Sequence, residues 1–318
     1  MKTKNIDKLI DNEIIPIIIY NIPKNNYKIQ KQNNNIKIAM NEFVNNNKKL
    51  KEKFHLYLHD FVSKLNKNLK DCNFENFCNN VKNVKIKEKY SKIKGFFIYA
   101  SYFTKDNKIA LYNKNFENHL SHELLHMAST KKINKKLILC GFGIIDLKKR
   151  KKYGMFLNEG YTEYLNSIYF NIGGTYTTQV DFIKMLEKII GKELMQKMYF
   201  NSDLKGLINE LIKYKNSKEE VLEFIINTDL IHKYRYSLIP LKRLKLKRAT
   251  LKVNSFLVKS YYIKLLNENK KSNQIIKELT NFMNELVDID IDFKSNHYYM
   301  EEAKNYYDKE IKMKIKRK

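Results

Sequence analysis

Apolar residues recur every three or four positions through much of the chain, and this periodicity predicts α-helices. We predict a long helix at about 41–70, a second across 117–130 and a third at about 158–170 that stops at Gly173 and Gly174. Beyond Gly174 the pattern is almost entirely helical, so we expect a helical C-terminal half.

Strands are predicted mainly in the first third of the chain. Short strands are expected near 14–20, 27–31 and 36–40, with a turn at 32–35. The aromatic run 95–103, the turn signal at 105–108 and the short apolar run 109–112 predict a hairpin that leads into the second helix.

The segment His122-Glu123-Leu124-Leu125-His126 reads H-E-x-x-H on the predicted helix 117–130. Two histidines four residues apart lie on one helix face and can share one metal ion. Glu123 is turned about 100° around the helix, so it is placed to contact a metal-bound water rather than the metal. This combination predicts a catalytic zinc site, with two core histidines on an ordinary helix as the alternative.

A second segment, 157–163 with the sequence LNEGYTE, offers the third ligand. Glu159 and Glu163 are four residues apart and therefore share a helix face. Glu159 could bind the metal, and Glu163 could accept a hydrogen bond from a ligating histidine. The alternative is a solvated acidic pair that the helix dipole favours. A metzincin continuation is excluded, because Ser129 and Lys132 stand where its glycine and third histidine would be.

H-E-L-L-H followed by L-N-E-G-Y-T-E-Y-L resembles the gluzincin zinc metallopeptidases, mainly over residues 95–170. The resemblance implies His122, His126 and Glu159 as zinc ligands, Glu123 as general base and Glu163 as the partner of a ligand histidine. Residues 127–158 separate His126 from Glu159, a longer spacing than in the better-known gluzincins. We therefore expect an inserted loop within 131–154.

The resemblance also implies a peptide-binding strand and a donor for the oxyanion of the reaction. One of the two hairpin strands would bind an extended peptide by strand addition, whereas a hairpin without a ligand role is the alternative. Gluzincins commonly supply a Tyr or His from downstream of the zinc helices. The candidates here are His232, Tyr234 and Tyr236, with 297–299 as a fallback.

These elements predict an α+β fold: a small antiparallel sheet packed on helices, with a mostly helical C-terminal half and a zinc cleft between them. We divide the chain into N-terminal strands and a long helix at 1–94, a zinc-site catalytic core at 95–175 and a helical region at 176–318. A capping box is expected at Ser217, and Pro240 marks a boundary.

The formal net charge of +27 raises the question of a nucleic-acid or membrane partner. The charge is nearly all lysine, and the abundance of Asn, Ile and Tyr indicates an AT-rich coding sequence rather than selection for a basic surface. We therefore do not expect nucleic acid as a partner, and we interpret the basic clusters 242–252 and 311–318 as solvated faces.

The pattern of apolar residues predicts no targeting signal. No apolar run approaches the length of a transmembrane helix or a secretory signal. The three cysteines form no metal-binding or disulfide pattern, which fits a cytoplasmic protein. The oligomeric state is left open.

The leading hypothesis is a zinc-dependent peptidase acting on a peptide or protein substrate. Two alternatives stay open at this point. One is a non-catalytic, lysine-rich binding protein of the same fold that contacts nucleic acid or an anionic membrane. The other is a metal hydrolase for a non-peptide amide.

Overall fold

The computed structural model describes residues 26–46, 52–69, 72–90, 99–174 and 176–286, together with Thr3 and Asp7. The helices of this part of the chain are α1 (Asn26–Asn46), α2 (Glu52–Asn68), α3 (Glu75–Val81), α4 (Glu117–Ala128), α5 (Met155–Phe170), α6 (Thr177–Ile190), α7 (Lys192–Phe200), α8 (Leu204–Ile212), α9 (Lys218–Tyr234), α10 (Pro240–Asn267) and α11 (Ser272–Asn284). The strands are β1 (Lys85–Glu88), β2 (Ala100–Phe103), β3 (Lys108–Leu111), β4 (Thr130–Lys132), β5 (Leu137–Cys140), β6 (Gly143–Asp146) and β7 (Lys151–Tyr153). The predicted α+β class with a helical C-terminal half is confirmed.

The first sheet has the strand order β1-β3-β2. The described part of the predicted hairpin is present: β2 and β3 are antiparallel, with Tyr102 opposite Ile109. Residues 95–98 of the prediction lie outside the described residues. β1 joins the other side of β3 in parallel, so β3 is the central strand. Among the described residues β2 is therefore an edge strand of this sheet, and it packs beside α4.

The second sheet is an antiparallel meander in the order β4-β5-β6-β7. It occupies the segment 131–154, where we expected a loop, and that expectation is wrong. β5 and β6 are buried along their whole length, so both faces of these short apolar strands are covered. Gly141, at a φ of +52°, forms the tight connection between them.

The N-terminal region departs most from the sequence-based expectation. The predicted strands at 27–31 and 36–40 and the turn between them are wrong, because these residues form α1. Its buried residues Ile36, Ala39, Met40 and Phe43 follow helical spacing. The predicted helix 41–70 corresponds to the end of α1 and to α2. Residues 47–51 and the predicted strand 14–20 lie outside the described residues.

α4 and α5 pack against each other at the centre of the protein. The predicted apolar stripe of α4 faces the core, since Phe116, Leu120, Leu124 and Met127 are all buried. α6 packs on α5, and α9 packs on both α5 and α10. The helical C-terminal half therefore packs over α5. The division of the chain into three regions stays a prediction.

Two other sequence-based expectations concern the last third of the chain. Ser217 caps α9 and forms the predicted capping box with Glu220, and Pro240 is the first residue of α10. The basic cluster 311–318 and the fallback residues 297–299 lie outside the described residues. None of the helices in the described part of the chain combines the length and apolar character that a membrane crossing requires.

Candidate metal centre

Two neighbouring helices supply the side chains of the site. α4 presents His122 and His126 on one face, as the four-residue spacing requires. α5 begins at Met155, slightly earlier than predicted, and carries Glu159 and Glu163 on the face toward α4. The buried packing of the two helices brings both predicted motifs together.

Three side-chain atoms form a nearly regular triangle. Nε2 of His122 lies 3.1 Å from Nε2 of His126, and Oε2 of Glu159 lies 3.4 Å from the first and 3.3 Å from the second. A tetrahedral ion with metal–ligand bonds of about 2.0–2.1 Å separates its ligand atoms by about 3.3–3.4 Å. The triangle therefore fits a zinc-sized ion held by three protein ligands. Within the described residues it is the one cluster of this kind.

Glu163 orients the first of the two histidines. Its Oε2 lies 2.9 Å from Nδ1 of His122, and both side chains are buried. A carboxylate at this position accepts the Nδ1 proton and leaves Nε2, the atom of the triangle, free to bind a metal. Glu163 thus contacts one of the two predicted ligand histidines, and its role as the partner of a metal ligand stays a prediction.

A different set of groups surrounds Nδ1 of His126. Asn158 Nδ2 lies 3.2 Å away, Thr162 Oγ1 3.4 Å and Cys140 Sγ 3.7 Å. Among the residues that the structure describes, the buried Oδ1 of Asn158 has no hydrogen-bond partner. Rotation of this amide by 180°, which exchanges its oxygen and nitrogen, would let Oδ1 accept the Nδ1 proton of His126. Asn158 is then the counterpart of Glu163, a role that the sequence motif did not indicate.

Glu123 lies outside the triangle and reaches the first sheet. Its Oε2 accepts a hydrogen bond of 2.6 Å from the backbone amide of Tyr102 on β2. Burial raises the pKa of Glu123, and the neighbouring His122 and His126 lower it only in part. A carboxyl group with a raised pKa, next to a metal position, is suited to accept and return a proton near neutral pH.

The residues of the triangle shift one another's pKa values. Burial alone would raise the pKa of Glu159, but the charge of His126 and hydrogen bonds from both histidines hold it well below its ordinary value. Burial likewise acts to lower the pKa of His126, and Glu159 outweighs it, so that this pKa is raised. Glu159 is therefore an ionised carboxylate in a half-buried position, and a carboxylate must be ionised to bind a metal.

Tyr176 is a site residue that sequence reasoning missed. Its ring stacks on the ring of His122, with 5.6 Å between centroids and 18° between planes. Burial raises the pKa of Tyr176, and the charge and hydrogen-bonding oxygen of Glu159 raise it further. The neutral phenol thus lies beside two members of the triangle and can donate a hydrogen bond there.

The predicted oxyanion donors lie at the end of α9 and just after it. His232 Nδ1 is 3.3 Å from Gln179 Nε2, and burial lowers its pKa while the charge of Glu159 raises it. Tyr234 is half-buried, whereas Tyr236 is 79% exposed. None of these three side chains forms a hydrogen bond with a residue of the triangle, so their role stays a prediction.

Gly160 sets how closely the ligand helix approaches α6. A Cβ atom at this position would lie 2.8 Å from Cβ and 2.9 Å from the carbonyl oxygen of Gln179. Real side chains do not make such short contacts with a backbone, so only glycine permits this packing. Gly160 therefore sets the distance between α5 and α6, and with it the position of the neighbouring Glu159.

Comparison with known proteins gives no match: no family model, curated sequence or solved structure is significantly similar to this chain. The case for a metal centre therefore rests on the motif and on the geometry of its side chains.

Proposed function

We propose that the protein is a zinc-dependent peptidase of the gluzincin type. The observation that supports this most directly is the triangle of His122, His126 and Glu159, with Glu123 beside it. Two imidazoles and one carboxylate leave one tetrahedral position open, which is the arrangement of catalytic rather than structural zinc sites. Nitrogen and oxygen ligands with tetrahedral spacing favour zinc over magnesium or calcium, which prefer octahedral or larger oxygen cages.

A zinc ion held by these residues would lower the pKa of a bound water to about 7 and polarise a substrate carbonyl. The protein's own groups would do the rest. Glu123 would take a proton from the attacking water and pass it to the leaving amine, because its raised pKa suits both transfers. The Tyr176 hydroxyl, which stays protonated at neutral pH, would donate a hydrogen bond to the developing oxyanion.

The edge strand β2 offers a place for an extended peptide. The amide of Tyr102 points away from β3 toward Glu123. In an antiparallel strand the N–H and C=O groups of one residue point the same way, so the carbonyls of Tyr102 and Ala100 also face this open edge. β3 is paired on both sides and cannot accept another strand. Strand addition on β2 would align a peptide beside Glu123.

The proposal is tested by separating metal binding from turnover. Protein purified without a metal-affinity tag is analysed for zinc by elemental mass spectrometry and for hydrolysis of a peptide library. We expect about one zinc per chain, strong loss of zinc in Glu159→Ala, and normal zinc content without hydrolysis in Glu123→Gln.

The exposed Glu193, on α7, provides a matched control. Glu193→Gln should keep both zinc and activity. Unchanged zinc content in Glu159→Ala would remove this residue from the ligand set. Full hydrolysis by Glu123→Gln would exclude Glu123 as the general base. A zinc-loaded protein that cleaves no peptide would overturn the peptidase assignment.

A further inference from the structure

The segment from Tyr236 to Leu244, here called the docking segment, exposes an unusual number of large apolar side chains. It comprises the connection from α9 to α10 and the first turns of α10. Its exposed apolar residues are Tyr236, Leu238, Ile239, Leu241 and Leu244, with exposed fractions between 45% and 89%. Other exposed large apolar side chains of the described residues, such as Ile38 and Leu56, lie apart from one another along the chain. Five such residues within nine positions mark an interaction surface.

The same region is uniformly basic. Residues 233–252 contain no Asp or Glu, and their positive residues are Lys233, Arg235, Lys242, Arg243, Lys245, Lys247, Arg248 and Lys252. Three of the five arginines of the chain lie here, although the rest of its positive charge is almost all lysine. This enrichment is local, so it is not a consequence of the general lysine bias of the sequence.

The combination of basic and exposed apolar side chains indicates which kind of partner the docking segment binds. Phosphates of nucleic acid would satisfy the positive charges, but they offer nothing to exposed leucine and isoleucine side chains. A membrane surface with anionic headgroups offers both negative charge and an apolar layer into which short aliphatic side chains can insert. Basic residues among exposed aliphatic ones, at the start of a helix, match that surface.

We propose that the docking segment binds the protein to the surface of an anionic membrane. Leu238 and Leu241 insert between headgroups, while Lys242, Lys245 and Arg248 contact lipid phosphates. Charge alone predicts a solvated face for 242–252, and the exposed aliphatic side chains beside it are what change that interpretation.

The residue that directly precedes the docking segment is linked to the surroundings of the metal centre. Arg235 Nη1 donates a hydrogen bond of 2.7 Å to Oε1 of Gln179, the residue against which Gly160 packs. Docking would therefore hold the neighbourhood of Glu159 close to the membrane surface. The docking proposal does not depend on the metal or on peptidase activity, and it is tested without either.

The test is co-sedimentation of the full chain with vesicles of phosphatidylcholine alone and of phosphatidylcholine with 30% phosphatidylserine, at about physiological salt. We expect binding only to the anionic vesicles. Leu238→Ser with Leu241→Ser should weaken that binding about tenfold or more, because insertion of the apolar groups is lost. Lys242→Glu, Lys245→Glu and Arg248→Glu together should weaken it at least as much.

Two matched controls separate docking from general attraction to a protein of charge +27. Ile38→Ser with Leu56→Ser removes two exposed aliphatic residues elsewhere, and Lys148→Glu, Arg150→Glu and Lys151→Glu reverse three exposed cations elsewhere. Both controls should bind like the wild type. The proposal would be overturned if the Leu238 and Leu241 variant bound anionic vesicles as well as the wild type does. It would also be overturned if the charge control lost as much binding as the Lys242, Lys245 and Arg248 variant, because diffuse attraction would then explain the binding.

Light scattering without vesicles tests whether a second copy of the chain, rather than a membrane, covers the docking segment. The wild type should show the same mass as the Leu238 and Leu241 variant. A dimer that this variant abolishes would overturn membrane docking and assign the surface to self-association.

Discussion

The carboxylate of Asp229, on α9, accepts a hydrogen bond of 2.7 Å from the backbone amide of Gly154. A second oxygen of the same carboxylate accepts one of 3.1 Å from Phe156. These amides lie at the start of α5, where backbone N–H groups have no partner within the helix. The C-terminal helical half thus supplies, through one side chain, the cap of the helix that carries Glu159 and Glu163.

Replacement of Asp229 should destabilise the protein. Asp229→Ala leaves buried amides without an acceptor, and we expect a loss of about 1–3 kcal/mol in the free energy of unfolding. Asp229→Asn keeps one acceptor oxygen and should lose less. Urea unfolding followed by circular dichroism measures both. Asp181→Ala, which removes an exposed carboxylate on α6, is the control and should change stability by less than about 0.5 kcal/mol.

The same carboxyl should give stability a specific pH dependence. Burial raises the pKa of Asp229 from 3.8 to about 6, and the hydrogen bonds from the α5 amides offset this only in part. The folded state therefore holds this proton more tightly than the unfolded state does. Its contribution to stability is largest below about pH 4 and is lost as the pH rises to about 6, a change of at most about 3 kcal/mol.

Asp229→Asn has no proton to release at this position. The difference in unfolding free energy between wild type and Asp229→Asn should therefore shift against the wild type as the pH rises from 4 to 6. Urea titrations at four or five pH values measure it, and a constant difference over that range would contradict a raised pKa.

The part of the site that sequence could predict is the part set by local geometry. His122, Glu123 and His126 follow from the H-E-x-x-H motif on a helix, and Glu159 and Glu163 follow from a second helical pair interpreted together with that motif. Tyr176 and Asp229 could not be predicted in this way, because tertiary packing of α6 and α9 against α5 brings them to the site. No spacing rule connects either residue to the motifs.

The fold errors have a similar origin. The helical spacing of Ile36, Ala39, Met40 and Phe43 was present in the sequence, but β-branched isoleucines and many asparagines favoured strands and turns. The meander at 131–154 was missed because the apolar runs LILC and GIID are short and do not alternate. Such runs indicate a strand only when both faces are buried, which depends on neighbours distant in sequence.

Glu163 should control metal affinity without binding the metal. Glu163→Ala removes the acceptor at 2.9 Å from His122 Nδ1, and we expect zinc affinity to fall about 10–100-fold. Glu163→Gln can still accept through its oxygen and should lose less. Competition with a chromogenic zinc chelator measures both affinities. Glu187→Gln, a half-buried carboxylate bonded to Tyr164, is the control, and equal affinity of all four proteins would exclude the orienting role.

Tyr176 should act on turnover rather than on binding. Tyr176→Phe keeps the ring that stacks on His122 and removes only the hydroxyl. If this hydroxyl stabilises the oxyanion, kcat for peptide hydrolysis should fall about 10²–10³-fold, with KM and zinc content nearly unchanged. His232→Ala, Tyr234→Phe and Tyr236→Phe, measured in parallel, test the donors predicted from the sequence. A large loss of kcat in one of these and not in Tyr176→Phe would move the role to that residue.

Gly160→Ala should couple stability to metal binding. The new methyl group would lie 2.8 Å from Cβ of Gln179, so α5 must move away from α6 and carry Glu159 with it. We expect a loss of about 1–3 kcal/mol in unfolding free energy, together with weaker zinc binding, because the movement of Glu159 changes both of its distances within the ligand triangle. Ser167→Ala, on the same helix, controls for a simple substitution in α5 and should retain zinc affinity. Normal zinc affinity in a destabilised Gly160→Ala would show that the protein absorbs the displacement elsewhere and that the close contact with α6 does not position Glu159.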